Sequence, residues 1–164
     1  MKALSLWQPW ASLWCSQRKI HETRSWPLKH RGWLAVHAAK LETGRALAQS
    51  FGNDVAAGKA LIEICIDEFG GHWSMDLPRG AVIGAVKIVD CVITEEIRHR
   101  YSRPGADAAK CLEDLTCGNF GDGRFGFMRS EFILLPRPVP FKGRQNLFDV
   151  PHDIFAGSLE LPQK

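Results

Sequence analysis

The side chains best suited to chemistry crowd into SQRKIHETRSWP, residues 16–27, where Lys19, Glu22, Thr23 and Arg24 follow directly on an apolar segment. An ammonium such as Lys19 contacts phosphate, and when burial lowers its pKa it becomes a base or a nucleophile. The guanidinium of Arg24 forks onto phosphate or carboxylate and stacks on bases, or it closes an internal ion pair with Glu22. Glu22 can orient the lysine, accept a hydrogen bond from a base edge, or act as a general base. Orientation fits best, because an acid at the centre of a polyanion site repels its ligand unless its use is local. Trp26 offers two uses, stacking a splayed base for ~1–3 kcal/mol or covering the hydrophobic core.

The order of these residues sets their directions. If IHETRSW is extended, Glu22, Arg24 and Trp26 share one face and His21, Thr23 and Ser25 the other, since side chains alternate across a strand. The neighbouring elements must then form a hollow around that face. KALSL reads as a short strand, and residues 9–16 as a short helix that opens on Pro9 and buries its tryptophans. Residues 32–39 make a second strand, with Trp33, Ala35 and His37 on one side and Leu34 and Val36 on the other. Gln8, Trp10 and His37 are candidates for the wall of a cleft. The Gln8 amide can read a base edge, and His37 can titrate near neutral pH or serve as a satisfied structural residue.

Further along, helices are expected over 43–51 and 57–69. GAVIGAVKIVDCVI, residues 80–93, is β-branched and nearly uncharged, as in a long strand covered on both faces. Gly84 inside it marks a bulge or bend of the kind that closes a small barrel. DAAKCLED is a short helix in an otherwise irregular insertion. A strand over 124–135 follows, then a proline-rich edge or loop, then a last strand over 146–149. Strands outnumber helices, so the class is α+β, a small barrel of five to six strands flanked by helices.

Composition limits the alternatives. The 164 residues are 45% hydrophobic, enough for one domain spanning 1–164. Twenty-one Lys and Arg against 18 Asp and Glu give a charge of +3, which permits polyanion binding without demanding it. Five Cys at irregular spacing, with no C-x-x-C, indicate neither a disulfide framework nor a zinc site. No metal or cofactor is implied. Gln8 and Pro9 interrupt the apolar start, no cleavage pattern follows, and no run of ~18 apolar residues exists, so no membrane association and a cytoplasmic location are expected. Two basic sets, Lys29, His30 and Arg31 and then Arg137, Lys142 and Arg144, make a patch only if the barrel joins them; otherwise they are solvated charges.

Taken together, LSLWQPW, KIHETRSWPLKHRGWLAVHAAK, GAVIGAVKIVDCV, GRFGF and PFKGRQNLF resemble the ASCH domain of the PUA-like superfamily. Its hallmark G-x-K-x-x-E-x-R maps onto Gln17, Lys19, Glu22 and Arg24, with Gln17 in the glycine's place. The matching blocks leave residues 51–78 and 94–118 unmatched. The resemblance implies a PUA-like β-barrel, a cleft beside the first helix with the motif at its mouth, and RNA as partner, with Arg124 similar in position to cleft-lining residues. Relatives that hydrolyse the amide of N4-acetylcytidine use a lysine, a threonine and a glutamate. Their threonine stands three residues after the lysine, a place held here by Glu22, and Thr23 comes one later, on the opposite face of an extended segment. Three functions follow: an RNA-binding module, an amidohydrolase or ribonuclease built on Lys19, Glu22 and Thr23, and a protein-docking module.

Overall fold

The computed structural model describes residues 1–156. In chain order it runs β1 (Lys2–Leu6), α1 (Trp10–Trp14), β2 (His21–Arg24), β3 (Gly32–Ala38), α2 (Thr43–Phe51), α3 (Val55–Phe69), α4 (Trp73–Asp76), β4 (Ala81–Ile93), α5 (Thr94–Tyr101), α6 (Ala108–Thr116), β5 (Phe125–Pro140), β6 (Leu147–Asp149) and a closing 3-10 turn (His152–Phe155). The strands form one six-stranded sheet in the order β2-β5-β4-β3-β1-β6. Among the described residues only the β1–β3 pairing is parallel.

The sheet curls into a half-barrel. β2 and β1 stand four places apart in the strand order, which in a flat sheet would separate them by about 19 Å. Yet Arg24 on β2 donates a hydrogen bond of 3.0 Å to the Ser5 carbonyl on β1. Gly84 contributes to the bend: the β4–β5 register shifts between Val82 and Gly84, and a Cβ at Gly84 would sit 2.2 Å from the Ile133 carbonyl oxygen. Close approach of two backbones requires glycine there.

Alternation sorts the core into two faces. Leu4, Leu6, Leu34 and Val36 join Trp14 and Phe127 in the concave core. Ala3, Ala35 and Val82 pack on the opposite face with Phe148 and Phe155. Between α1 and α3, Leu13, Leu61, Cys65 and Cys117 form a third cluster. The α+β class and the small barrel-like sheet flanked by helices therefore stand as expected. No helix among the described residues is long and apolar enough to cross a membrane.

Four elements differ from expectation, one of them the short α4, which was not foreseen. The first helix is shorter, spanning only Trp10–Trp14. The irregular insertion contains a second helix, α5, whose buried Thr94 and Ile97 tie it to the sheet. β5 continues through its prolines to Pro140, because β2 pairs only with Phe125 to Met128, Ile20 meets Arg129, and among the described residues no strand flanks β5 on that side beyond them. Along an edge, a missing N–H breaks no ladder bond.

Candidate functional site

A cavity of about 440 Å³ opens where β1 ends, bounded by β2, the last turn of α2 and the segment after α6. Its charged wall is Lys19, Glu22, Arg24 and Arg124, three cations around one acid. Its aromatic wall is Trp7, Trp10 and Phe51.

Lys19 is 1% exposed, and a buried ammonium persists only if it is paired and hydrogen-bonded. Its Nζ donates to the Cys117 carbonyl at 2.7 Å and lies 3.3 Å from Glu22 Oε2. That carbonyl belongs to the C-terminal end of α6, where the helix dipole favours a cation. The other carboxylate oxygen of Glu22 is 3.0 Å from Arg24 Nε, paired by charge although not aligned as a hydrogen bond. Arg24 then reaches Ser5, so the motif is a continuous polar chain from α6 to β1. Gly118 keeps the chain open, since a Cβ there would meet the Phe120 ring at 2.8 Å and Lys19 Nζ at 3.3 Å.

The backbone of this segment is pinned from three sides. Asp114 on α6, fully buried, accepts the Ile20 and His21 amides at 2.5 and 3.0 Å through one oxygen. Its other oxygen binds His21 Nδ1 and the Tyr101 hydroxyl, both at 2.7 Å. Burial pushes the Asp114 carboxyl up, but the hydrogen bond and charge of His21, with the charge of Lys19, outweigh it and hold the group below its ordinary range. Arg18 pairs with Asp67 and Glu68 on α3 and with Glu113 on α6. The buried Arg129 donates to the carbonyls of Lys19, at 3.0 Å, and Ser16. Gln17 takes an ordinary φ, for among the described residues only Asn146 has a positive φ without being glycine. The turn needs no glycine because these neighbours hold it.

Thr23 also borders the cavity, its hydroxyl accepting the Asn119 amide at 3.2 Å. Arg124 joins the same wall, donating to the carbonyls of Asn119 and Thr23 at 3.1 Å each. Trp10 stands 6.1 Å from Phe51, ring centre to ring centre, and Trp7 is 40% exposed. These rings carry no side-chain hydrogen bonds to the described residues.

Three expected wall residues lie elsewhere. Gln8 is fully buried: its amide donates to Ser12 Oγ and the Pro78 carbonyl, both at 2.8 Å, and accepts the Ser12 N–H, leaving nothing for a base. His37 is buried on the convex side, between Ser5 Oγ at 2.9 Å and the Phe141 carbonyl at 3.0 Å, and burial lowers its pKa. Trp26 falls past the end of β2, so alternation no longer governs it, and its ring packs 5.1 Å from Phe127 against the concave core. Of the basic sets, Arg31 pairs with Asp90, and none of the six residues lines the cavity.

Sequence reasoning missed Trp7, Phe51, Asn119 and Asp114. Trp7 carried a signal, an indole between a strand and a proline; Asp114 carried none, its partners in the motif, Ile20 and His21, lying more than 90 residues away. The thiols beside the site are inert, since burial pushes Cys65 and Cys117 up to about 12. Among the described residues no group of three or more His, Cys, Asp or Glu side chains is placed to hold a metal ion.

The model of the ASCH domain family matches residues 4–115. Activating signal cointegrator 1 of Mus musculus is 32% identical over 98 residues and that of Homo sapiens 31% identical over 100. Each match covers 60% of this chain and 16% of the relative. A crystal structure of ASCH from Zymomonas mobilis aligns with a TM-score of 0.48 at 15% identity, over 94% of this chain and 90% of that one.

Proposed function

The chain belongs to the ASCH domain family, which is linked in general to nucleic acids and to RNA, and on that premise we propose an RNA-binding domain whose cavity takes one single-stranded or modified nucleotide. The whole chain serves as this one domain. The observation that supports the reading is the pairing of walls: three cations less one anion leave a charge of +2 facing three aromatic rings across about 440 Å³. That volume lies within the ~300–1,000 Å³ of small-molecule sites. A duplex presents its bases stacked and paired, so a pocket of this size selects a splayed base.

Roles follow from position. Arg24 and Arg124 face the phosphate, Trp7 and Trp10 the base, and Lys19 completes the anion site while Glu22 orients both cations. The test is fluorescence anisotropy with a labelled random-sequence hexaribonucleotide. Arg124→Gln and Trp7→Ala, both at partly exposed positions, should each weaken binding about tenfold, and Arg124→Gln should also flatten the salt dependence. Wild-type affinity in both folded variants rejects the site.

A second reading, hydrolysis, is favoured by one feature: the buried Lys19 Nζ lies 3.3 Å from the Glu22 carboxylate in the cavity wall. Such a pair can shuttle a proton while water adds to an amide carbon and the C–N bond breaks, as in conversion of N4-acetylcytidine and water to cytidine and acetate. Incubation with N4-acetylcytidine and with labelled RNA, beside Glu22→Gln, separates the readings. Turnover lost in the variant identifies an enzyme; binding without turnover identifies the module.

A further inference from the structure

This inference rests on the nucleotide-binding reading and deepens it to the kind of phosphate the cavity takes. The donors of the charged wall decide between two kinds. Lys19, almost fully buried, gives one proton to the Cys117 carbonyl and points another at Glu22, which leaves the third of its ammonium protons without a partner among the described residues. Arg24 spends Nη2 on the Ser5 carbonyl and turns Nε to Glu22, while Arg124 spends Nε and Nη2 on the carbonyls of Asn119 and Thr23. Each guanidinium keeps its Nη1.

Two neutral side chains of the cavity add donors by a different route. Thr23 Oγ1 accepts the Asn119 N–H at 3.2 Å, and Asn119 Oδ1 accepts the Gly121 N–H at 3.0 Å. Only the oxygen of a carboxamide can meet a backbone N–H, so the protons of Asn119 Nδ2 are the end left over, as is the hydroxyl proton of Thr23. The acid of the wall does not answer these donors. One oxygen of Glu22 faces Lys19 and the other faces Arg24. Lys19, Thr23, Arg24, Asn119 and Arg124 therefore bring unspent donors to one cavity whose charged side chains sum to +2.

Phosphates inside and at the end of a strand differ in what they offer such a wall. An internal phosphodiester carries a single charge and two free oxygens, with chain leaving on both sides. A terminal phosphomonoester carries about −1.5 to −2 and three strong acceptor oxygens, all on one stem that can enter head first. The second matches the wall in charge and in acceptors. We infer that the cavity takes the end of a strand: single-stranded RNA whose terminal nucleotide bears a phosphomonoester, held by Lys19, Arg24 and Arg124 and by the neutral donors Thr23 and Asn119.

The experiment is isothermal titration calorimetry of wild type and Asn119→Ala with three unlabelled random-sequence hexaribonucleotides. One bears a 5′-phosphate, one a 3′-phosphate, and one hydroxyls at both ends. Asn119 is exposed, and thermal unfolding checks that the variant keeps the fold. Wild type should bind at least one phosphorylated hexamer about tenfold tighter than the unphosphorylated one, and the hexamer that gains names the end or ends the cavity accepts. Hydrogen bonds to charged groups are the strong ones, so Asn119→Ala, which alters no charge, should cut that advantage to about threefold or less. Equal affinity of wild type for all three hexamers overturns the inference and leaves the RNA-binding reading standing. An advantage that survives at full size in Asn119→Ala also overturns it, because added charge alone then accounts for the gain. A wild-type protein that binds none of the three overturns the nucleotide-binding reading, and the strand end with it.

Discussion

On one wall of the cavity Lys19, Glu22 and Arg24 each have two polar partners within about 3.3 Å. On the other, Trp7, Trp10 and Phe51 are held by packing, and Trp7 is 40% exposed. The difference separates two tasks. Charges buried together keep one geometry, because any displacement leaves an unpaired ion in a low-dielectric setting. Rings held by contact can shift to suit different bases at little cost, since every base has a π-face. On the proposed reading the pinned wall would fix where an anion sits, and the loose wall would accommodate what is attached to it.

The strongest way to break this contrast is at the support of the charged wall. Asp114→Ala removes the acceptor of four hydrogen bonds, strands the Ile20 amide and leaves His21 and Tyr101 only each other as partners; chemical denaturation should show a loss of ~3–5 kcal/mol. Gln8→Ala, expected to cost ~1–3 kcal/mol by stranding the Ser12 N–H and the Pro78 carbonyl, sharpens the assignment by what it spares. RNA affinity of the folded variant should be unchanged, and a loss of affinity would return Gln8 to the site. On the aromatic wall, Trp7→Ala should leave stability within ~0.5 kcal/mol of wild type while weakening RNA binding by ~1–3 kcal/mol. Equal losses of stability and affinity would erase the distinction between the walls.

The smallest effect is a pH dependence. Burial holds the folded His37 pKa below its ordinary 6.5. Below that pH the unfolded chain takes up a proton that the folded one resists, so stability is full above pH 6.5 and declines as pH falls through the folded pKa. A His37→Gln variant should show a flatter stability profile between pH 8 and pH 5 than wild type. Asp114 works in a lower window, its stabilisation being present above 3.8 and lost as pH drops through the depressed folded value.

What could be read from the sequence is what depends on local period. The alternation that put Leu34 and Val36 on one face and Ala35 and His37 on the other is kept by β3, and the bend foreseen at Gly84 lies at a register shift. The same rule placed Glu22 and Arg24 together, and they pair at 3.0 Å. It failed for Trp26, which lies beyond the last residue of β2. Gln8 and His37 were misplaced for another reason: their carbonyl partners lie 70 and 104 residues away, and no local pattern reports a long-range acceptor. Asp114 was invisible because the stretch around it matched no recognised block, although it fixes the geometry of the motif.

The α6 helix bears on the motif twice, through the Cys117 carbonyl on the Lys19 ammonium and through the Asp114 carboxylate on the Ile20 amide beside it. A slide of α6 along its axis by a single residue's rise, about 1.5 Å, would carry both groups together and stretch the 2.7 Å ammonium contact beyond bonding distance. The excursion between β4 and β5 thereby couples the place of the ammonium to that of a helix whose end, Cys117, lies 98 residues further along the chain.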